Sequence, residues 1–584
     1  MPLICENGKG SNWEIRKIGV AGPGIVGMPM AALLADAHIC EGTDRPASVL
    51  VVQRDSSTSG WKVDAINSGR SPIGGIEPDL DMIVQRSVKA GLLGATHDYE
   101  GLSDADVILV CVQTDKDGLK PDYGPLLDSL GRIAKVLQFK PSENIPLIVI
   151  ESTLAPSTMF TIVRDLFAKY DLIEGRDILL GNSPNRVMPG RLVERVASSD
   201  KLVGGLLPLT ADLIQRLYSR IVTRGRLFPT NSMTAEVVKT LENAYRDVRI
   251  AYAAEIVRYC DAQNVDFFQL RDEVNKRLGQ ADDASKNSSS VPTGGLLIPT
   301  VGVGGHCLPK DGILLRWRLL ENEVDSSKSL ILGSRRVNDA SPSYTLQFAE
   351  SLFGPLAGRP VTILGAAYRG DSEDTRNSPS LVLARLLLDK GVRLKIHDPY
   401  VRYVDQNLLR TGLQGYFTQD LGEALSSAEV IVAAAPHRFY ADLGHRIVGM
   451  TPGLSGIFDA CNLWPREVFA NEKVIYGGIG RGAGDPDRDL VDCVVKGFNA
   501  MERGFALEVG EIIDFLNERY VDAPHNRVEF NKVQMMAGSC STGCNLADPV
   551  QPDQVTPYKG FLPFLVRLAL GDTCEGRELN CPCR

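Results

Sequence analysis

The sequence predicts an α/β protein of two doubly wound halves, joined by a helical block and followed by a C-terminal extension. Three observations carry this. Short apolar runs alternate with helical stretches from Lys17 to about Gly205, and the pattern returns from Val361 to Asp459. The first run ends in Gly22-Pro23-Gly24-Ile25-Val26-Gly27, a G-x-G-x-x-G turn that follows a strand and opens a helix. Between the halves, Met233 to Asp261 holds neither Gly nor Pro and reads as one long helix.

Taken in order, Lys17–Val20 is a strand and an apolar helix runs from the glycine turn through Ala35. Strands follow at Leu50–Gln53, Asp106–Val112, Ile145–Ile150 and Val203–Gly205, with helices at Asp79–Lys89 and Pro125–Leu137. Such alternation implies a parallel sheet covered on both faces. After the long helix, the polar stretch Asp282–Gly295 is a loop, and a second helical region ends near Asp339. The second half has strands at Val361–Leu364, Leu394–His397, Val430–Ala434 and Gly456–Asp459, with a helix at Ser380–Asp389. A helical stretch at Val494–Tyr520 precedes a Cys-bearing tail. The expected domains are residues 1–16 (tail), 17–228 (dinucleotide-binding), 229–340 (central helical), 341–484 (second α/β) and 485–584 (extension).

Composition narrows the function classes. The 584 residues are 44% hydrophobic and 23% charged, which fits a soluble globular protein. A net charge of −9 argues against bulk attraction to nucleic acid or anionic membrane. No apolar run approaches the ~18 residues of a spanning helix, and MPLICENGKGSNWE has no signal-peptide core. A cytoplasmic, reducing setting is expected. Of 12 Cys, five crowd the tail: Cys540, Cys544, Cys574, Cys581 and Cys583. Their spacing is no standard ligand set, so no metal is expected. Phe561–Leu570 reads as an interaction helix or as part of a loosely packed tail.

The stretch Pro299–Gly312, PTVGVGGHCLPKDG, carries the chemistry. It puts Cys307 in a glycine-rich bend just before a helix, with Pro309 in the first turn and Lys310 close by. Free N–H groups at a helix start and a nearby cation both favour thiolate. Gly302, Gly304 and Gly305 remove side chains where a substrate would approach. Asp311 follows Cys307 by one helical turn. The bland alternative is a glycine turn with an inert Cys.

In the cofactor turn, Gly22 makes the bend, Gly24 lets a pyrophosphate reach the backbone and Gly27 lets helix and strand pack. The second strand ends in Gln53-Arg54-Asp55, where a carboxylate ordinarily holds the adenosine ribose. Gln53 can bond a ribose hydroxyl and Arg54 can tolerate a 2′-phosphate. NAD is favoured and NADP stays open.

The motifs GPGIVG, VCVQTD, ESTLAPST, SPNRVMPG, AEVVKTLENAYR, GVGGHCLPKD, GAAYRGDSEDTRNSP and HDPY, in that order, resemble the nucleotide-sugar dehydrogenases. These oxidise a sugar alcohol to a uronic acid, and the resemblance spans about Lys17 to Gly480. It implies two Rossmann-like domains, a long dimerising helix, a homodimer or higher oligomer, and a four-electron reaction using two NAD. It implies Cys307 as the nucleophile that traps the aldehyde, with Lys239 and Asn243 on one helix face stabilising the oxyanion and the C6 oxygen. Asp311 would orient water or Lys239, and Thr153 would hold water beside the nicotinamide. Ile25, Val26, Thr114 and Arg376 join the cofactor set. Asn185, Arg186, Val187, Gly304, His306, Tyr368 and Arg369 join the substrate set.

One departure matters. Asn185 stands where the family usually has a Glu base, and an amide accepts no proton at neutral pH. Asp311, Lys239 and Glu151 are the substitutes in view. His306 before the Cys resembles the UDP-N-acetylhexosamine branch, acting on UDP-N-acetylmannosamine or UDP-N-acetylglucosamine. The Leu-Pro-Lys-Asp continuation resembles the UDP-glucose and GDP-mannose branch. A two-electron dehydrogenase on this scaffold and a catalytically silent nucleotide-binding scaffold are the competing classes.

Overall fold

The computed structural model describes residues 2–4, 10–12, 14–39, 45–74, 77–140, 145–187, 190–279, 295–521, 523–540 and 544–572. The chain divides into two compact units: Met1–Glu242 with Leu314–Val324 and Gly510–Asn545, and Asn243–Ile313 with Asp325–Val509 and Leu546–Arg584. The 282–294 part of the expected polar loop and Cys574, Cys581 and Cys583 lie outside the described residues.

In the first unit, eight strands form one sheet: β1 (Lys17–Ala21), β2 (Ser48–Val52), β3 (Leu93–Thr96), β4 (Val107–Val110), β5 (Leu147–Ile150), β6 (Leu179–Asn182), β7 (Lys201–Gly205) and β8 (Leu227–Asn231). Their order is β8-β7-β6-β5-β4-β1-β2-β3. β1 pairs in parallel with β4 on one side and β2 on the other, so the chain switches direction across the sheet there. In doubly wound sheets that switch point is where ligands bind, beyond the carboxyl ends of the strands. β4 and β5 are buried along their whole length, as a sheet covered on both faces requires.

The sheet is mixed, where alternation alone predicts parallel pairing. β6 and β7 run antiparallel, with Gly181 opposite Gly205. Only a loop and the two-turn helix Leu192–Ser198 separate them, and the chain turns straight back instead of crossing over. Gly181 is required by packing: a Cβ there would lie 2.4 Å from Ile214 and 2.6 Å from the Gly204 carbonyl.

In the second unit, six parallel strands, β9 (Pro360–Leu364), β10 (Arg393–His397), β11 (Phe417–Thr418), β12 (Val430–Ala433), β13 (Gly456–Asp459) and β14 (Ile475–Gly478), lie in the order β11-β10-β9-β12-β13-β14. This repeats the winding of the first six strands of the other sheet. Two doubly wound Rossmann-like sheets and a long central helix are therefore the fold, as the sequence predicts.

Four helices matter for the site: α1 (Gly27–Asp36), α2 (Ser232–Gln263), α3 (Leu308–Glu321) and α4 (Arg488–Arg519). The Asn231 side chain caps α2 by accepting from the Thr234 N–H at 2.7 Å. α2 is buried over most of its length. Within the second unit α4 packs along it, with the Tyr245 hydroxyl on Glu502 at 2.6 Å and the Tyr252 hydroxyl on the Val494 carbonyl at 2.7 Å. The apolar Phe561–Leu570 stretch includes a short helix, Phe564–Ala569, whose first N–H groups donate to the Glu255 carboxylate. That stretch is packed against its own chain. Among the described residues, no helix is long and apolar enough to cross a membrane.

Candidate active site

The glycine turn has the geometry its spacing implies. Gly22 takes φ +97°, and a Cβ there would meet the Cys111 carbonyl at 2.9 Å. A Cβ on Gly27 would sit 2.0 Å from the Gly22 carbonyl, so only glycine lets α1 approach β1. Gly24 has nothing within 4 Å of its Cβ position. α1 has no side-chain cap and no acidic residue in its first turn, and Val26 holds the cap position. Bare N–H groups and an open Cβ direction suit the pyrophosphate of a dinucleotide. Ile25 and Val26 are half-buried, and Val26 packs against the sheet's core.

Gln53 follows β2 and turns its amide to Ser59 Oγ at 3.0 Å and the Arg54 carbonyl at 3.1 Å; Arg54 is exposed. Lys62 reaches the Pro23 carbonyl at 3.5 Å, and burial lowers its pKa. The sequence did not single out Lys62, which sits in the first turn of the helix Trp61–Asn67. Thr114 donates to the Thr153 carbonyl at 2.8 Å, which ties the loop after β4 to the loop after β5. Thr153 itself is half-buried.

A buried polar cluster lies at the ends of β5 and β6. Glu151 accepts from Lys201 at 2.8 Å and from Tyr218 and Asn185. Lys201 also donates to the Ser183 carbonyl at 2.8 Å. Burial pushes the Glu151 pKa up and that of Lys201 down, and their mutual attraction opposes both shifts. Lys201 and Tyr218 were not visible as site residues in the sequence, because each sits in an ordinary strand or helix pattern. Asn185 is thus one of three donors to the Glu151 carboxylate.

The Arg186 side chain is only 3% exposed. It donates to Glu242 twice, with its Nε at 3.3 Å, and to the Asp200 carbonyl at 3.1 Å, Ser539 Oγ at 3.0 Å and the Met536 carbonyl at 2.9 Å. A guanidinium has five N–H donors, and all five are used. In the structure Arg186 staples chain segments together. Val187 packs at the edge of the first sheet's core.

In the second unit, Cys307 is exposed and immediately precedes α3. The N–H groups of Lys310 and Asp311 bond its carbonyl at 3.1 and 2.9 Å, which makes it the helix cap. Asp311 and Lys310 differ from expectation. Both are buried and form an ion pair at 2.6 Å, because a buried ammonium needs a carboxylate. Asp311 also accepts from Asn243 at 2.6 Å. So Lys310 is drawn to Asp311, and Asp311 orients Asn243.

The loop after β9 is laced to the Cys307 bend. Gly305 N–H donates to the Arg376 carbonyl at 2.8 Å, and the Asn377 amide donates back to the Gly305 carbonyl at 3.0 Å. Tyr368 lies against the glycines: a Cβ on Gly304 would be 2.4 Å from it, and one on Gly305 3.0 Å. Burial, with Asp374 adding, pushes the Tyr368 hydroxyl up to about 12. Arg376, expected at the cofactor, is paired with Asp374 through Nε at 2.9 Å and Nη2 at 2.5 Å. His306 and Arg369 are half-buried beside Cys307 and Tyr368. Asn377, at φ +48°, is a further residue the sequence did not single out. Lys239 and Asn243 stand one turn apart on α2. Lys239 is 8% exposed and makes no hydrogen bond or ion pair among the described residues.

Cys540 and Cys544 are buried thiols. Among the described residues, no group of three or more His, Cys, Asp or Glu is placed to hold a metal ion.

A dinucleotide turn on one doubly wound sheet and an exposed cysteine capping a helix beside a second such sheet describe a dehydrogenase of the nucleotide-sugar class. Comparison with known proteins agrees. Residues 16–222 match the NAD binding domain of the UDP-glucose/GDP-mannose dehydrogenase family, 233–340 its central domain and 362–466 its UDP binding domain. The chain is 30% identical over 471 residues to a UDP-N-acetyl-D-mannosamine dehydrogenase of Pyrococcus horikoshii, covering 80% of this chain and 99% of that one. It is 30% identical over 439 residues to an NDP-N-acetyl-D-galactosaminuronic acid dehydrogenase of Ralstonia nicotianae, covering 74% and 93%. The crystal structure of an NDP-N-acetyl-D-galactosaminuronic acid dehydrogenase from Methanosarcina mazei superposes with a TM-score of 0.67 at 31% identity, covering 82% of this chain and 97% of that one. This chain belongs to the UDP-glucose/GDP-mannose dehydrogenase family. It is an NAD-dependent nucleotide-sugar dehydrogenase, and the open turn at Gly24 fits that cofactor.

The absence of a carboxylate at Gln53 makes a first prediction. NAD is expected to be preferred over NADP by about 10-fold or less, since no anion repels a 2′-phosphate. Gln53→Asp should widen the ratio by about 10-fold, the worth of one charge-assisted hydrogen bond. Initial rates with both cofactors give kcat/KM; a higher value for NADP in the native protein contradicts the prediction.

Proposed function

We propose that this enzyme oxidises the C6 alcohol of a UDP-N-acetylhexosamine to the uronic acid in two steps, through a covalent bond to Cys307. The observation that carries it is the exposed thiol at the start of α3, with Gly304 and Gly305 beside it. NAD, when bound, accepts the hydride in each oxidation. Ile25, Val26, Thr114 and Thr153 line its site in this reading.

The first oxidation turns the alcohol into an aldehyde. Cys307 Sγ then adds to the aldehyde carbon, forming a C–S bond and an oxyanion. Lys239 and the Asn243 amide stabilise that charge. Loss of a second hydride leaves a thioester. Water adds to its carbonyl, the C–S bond breaks, and the thiolate departs as the carboxylate forms. Glu151 and Asp311 are each committed to several donors, while Lys239 is not. Lys239 Nζ is therefore the group we assign to the C6 hydroxyl proton. Tyr368, Arg369, His306 and Gly304 form the sugar-nucleotide side in the second unit.

The N-acetylhexosamine choice is supported by His306 and by the names of the relatives, which are UDP-N-acetyl-D-mannosamine and NDP-N-acetyl-D-galactosaminuronic acid dehydrogenases. We take the enzyme as a cytoplasmic homodimer or higher homo-oligomer supplying polysaccharide precursors, with domain boundaries near residues 228, 340 and 484. Incubating the protein and NAD with a panel of UDP- and GDP-sugars, with mass spectrometry of the products, tests the substrate. Uronate from UDP-N-acetylmannosamine or UDP-N-acetylglucosamine is expected. A clear preference for UDP-glucose or GDP-mannose overturns that choice.

Asn185→Glu is expected to slow thioester hydrolysis by about 10-fold, instead of giving the ~10²–10⁴-fold gain that a vacant base position would show. The new carboxylate would face Glu151, and two like charges there cannot both ionise cheaply. The melting midpoint should fall as well. Single-turnover kinetics decide between the two outcomes.

A further inference from the structure

We propose that the C-terminal segment from Gly510 to Asn545 positions the active site, by holding the two loops that carry Thr153 and Asn185. The inference rests on the reading above and adds a part of the chain to it. The matched family domains end at residue 466, so this segment lies beyond them. It packs within the first unit.

The first hold is on the loop after β6. Two of the five Arg186 acceptors, the Met536 carbonyl and Ser539 Oγ, come from the end of helix α5 (Phe530–Gly538) and the residue after it. Two more bonds go to Glu242 on α2, whose side chain is 2% exposed. Charge-assisted bonds in a dry setting fix a guanidinium firmly. Asn185 is the adjacent residue, so fixing Arg186 sets where Asn185 meets Glu151.

The second hold is on the loop after β5. Ser157 takes φ +74°, a left-handed conformation that is unfavourable for a non-glycine residue. Its hydroxyl accepts from Arg318 Nε at 2.7 Å and donates to the Tyr520 hydroxyl at 3.1 Å. Its N–H and that of Met159 donate to Glu236 at 2.7 and 2.8 Å. Four hydrogen bonds around Ser157 and Met159 hold that conformation in place. The Tyr520 ring also lies edge-on to Phe160 at 6.1 Å. Thr153 sits four residues before Ser157 in this loop.

The segment is itself anchored. Asn517 and Val528 exchange two hydrogen bonds, at 2.8 and 2.9 Å. Asn231, the residue that caps α2, donates to the Arg527 carbonyl at 2.8 Å. Both loops leave the carboxyl ends of sheet strands, where a doubly wound fold binds ligands. A segment that grips both from one side controls their spacing.

The test uses full-length protein carrying Tyr520→Phe, Ser539→Ala, and both. Tyr520→Phe keeps the ring and removes only the hydroxyl. The double variant should lose about 10-fold in kcat, since sub-ångström misplacement of positioning groups costs rate steeply. The melting midpoint should stay near native, and Ser539→Thr should restore activity. Met535→Ala, at an exposed position on the same helix, is the control. Amide exchange in residues 151–158 and 183–187 should rise about 10-fold in the double variant, whichever sugar is the substrate. Native kcat with unchanged exchange overturns the proposal, as does a rate loss that merely tracks the melting midpoint. Failure of the functional reading shows differently, as native protein that makes no uronate while the exchange effect persists.

Discussion

Replacing Cys307 with Ser should cut uronate formation by about 10⁴-fold or more while leaving NAD binding unchanged; losses of that size follow removal of a catalytic nucleophile. The structure makes this a clean substitution. Cys307 is exposed, so no packing is lost, and its backbone carbonyl, not its side chain, closes the first turn of α3. Serine is among the best residues at a helix cap, so the helix should be held at least as well. What changes is the nucleophile, because a serine hydroxyl ionises far less readily than a thiol. Aldehyde-level product should be all that remains. Full uronate output from the variant would eliminate the covalent route.

Lys239→Met should lower kcat by about 10²–10³-fold, the range seen when one oxyanion donor is removed. Methionine keeps an unbranched, helix-tolerant side chain in a position that is 8% exposed, so α2 should stay intact. Lys239 makes no hydrogen bond or ion pair among the described residues, so its removal strands no charged partner there. The loss should fall on both oxidations, because the same C6 oxygen is held in each. Supplying the aldehyde directly should therefore not rescue the rate. Rescue by aldehyde would confine Lys239 to the first step.

Much of the fold was legible because its signals are contiguous. Val107–Val110, Leu147–Ile150 and Val430–Ala433 are unbroken apolar runs, and each is a buried strand. Besides the two-residue Phe417–Thr418, the sheet strands that escaped were Leu93–Thr96, Leu179–Asn182, Leu227–Asn231 and Ile475–Gly478. Of these four, three contain glycine and one contains Pro229, residues that read as breaks. In Gly181 the break signal hides a packing need, since a side chain there would collide with Ile214 and the neighbouring strand.

The same division holds for the site. The glycine turn and the Cys307 bend were readable because each motif is local and each residue acts through its own backbone. The fate of Arg186 was not, because its partners Met536 and Ser539 are 350 and 353 residues away. Lys201 and Tyr218 lie 50 and 67 residues from Glu151, in segments whose own pattern gives no hint of a shared cluster. Asn185 looked like a lost base; in the structure it is one donor in a saturated network.

The central claim is a four-electron oxidation through a cysteine adduct, and cofactor stoichiometry measures it most directly. With limiting nucleotide sugar and excess NAD, the account predicts two NADH formed per sugar consumed, with the uronate as the sole product. One NADH per sugar, with free aldehyde accumulating, would contradict it.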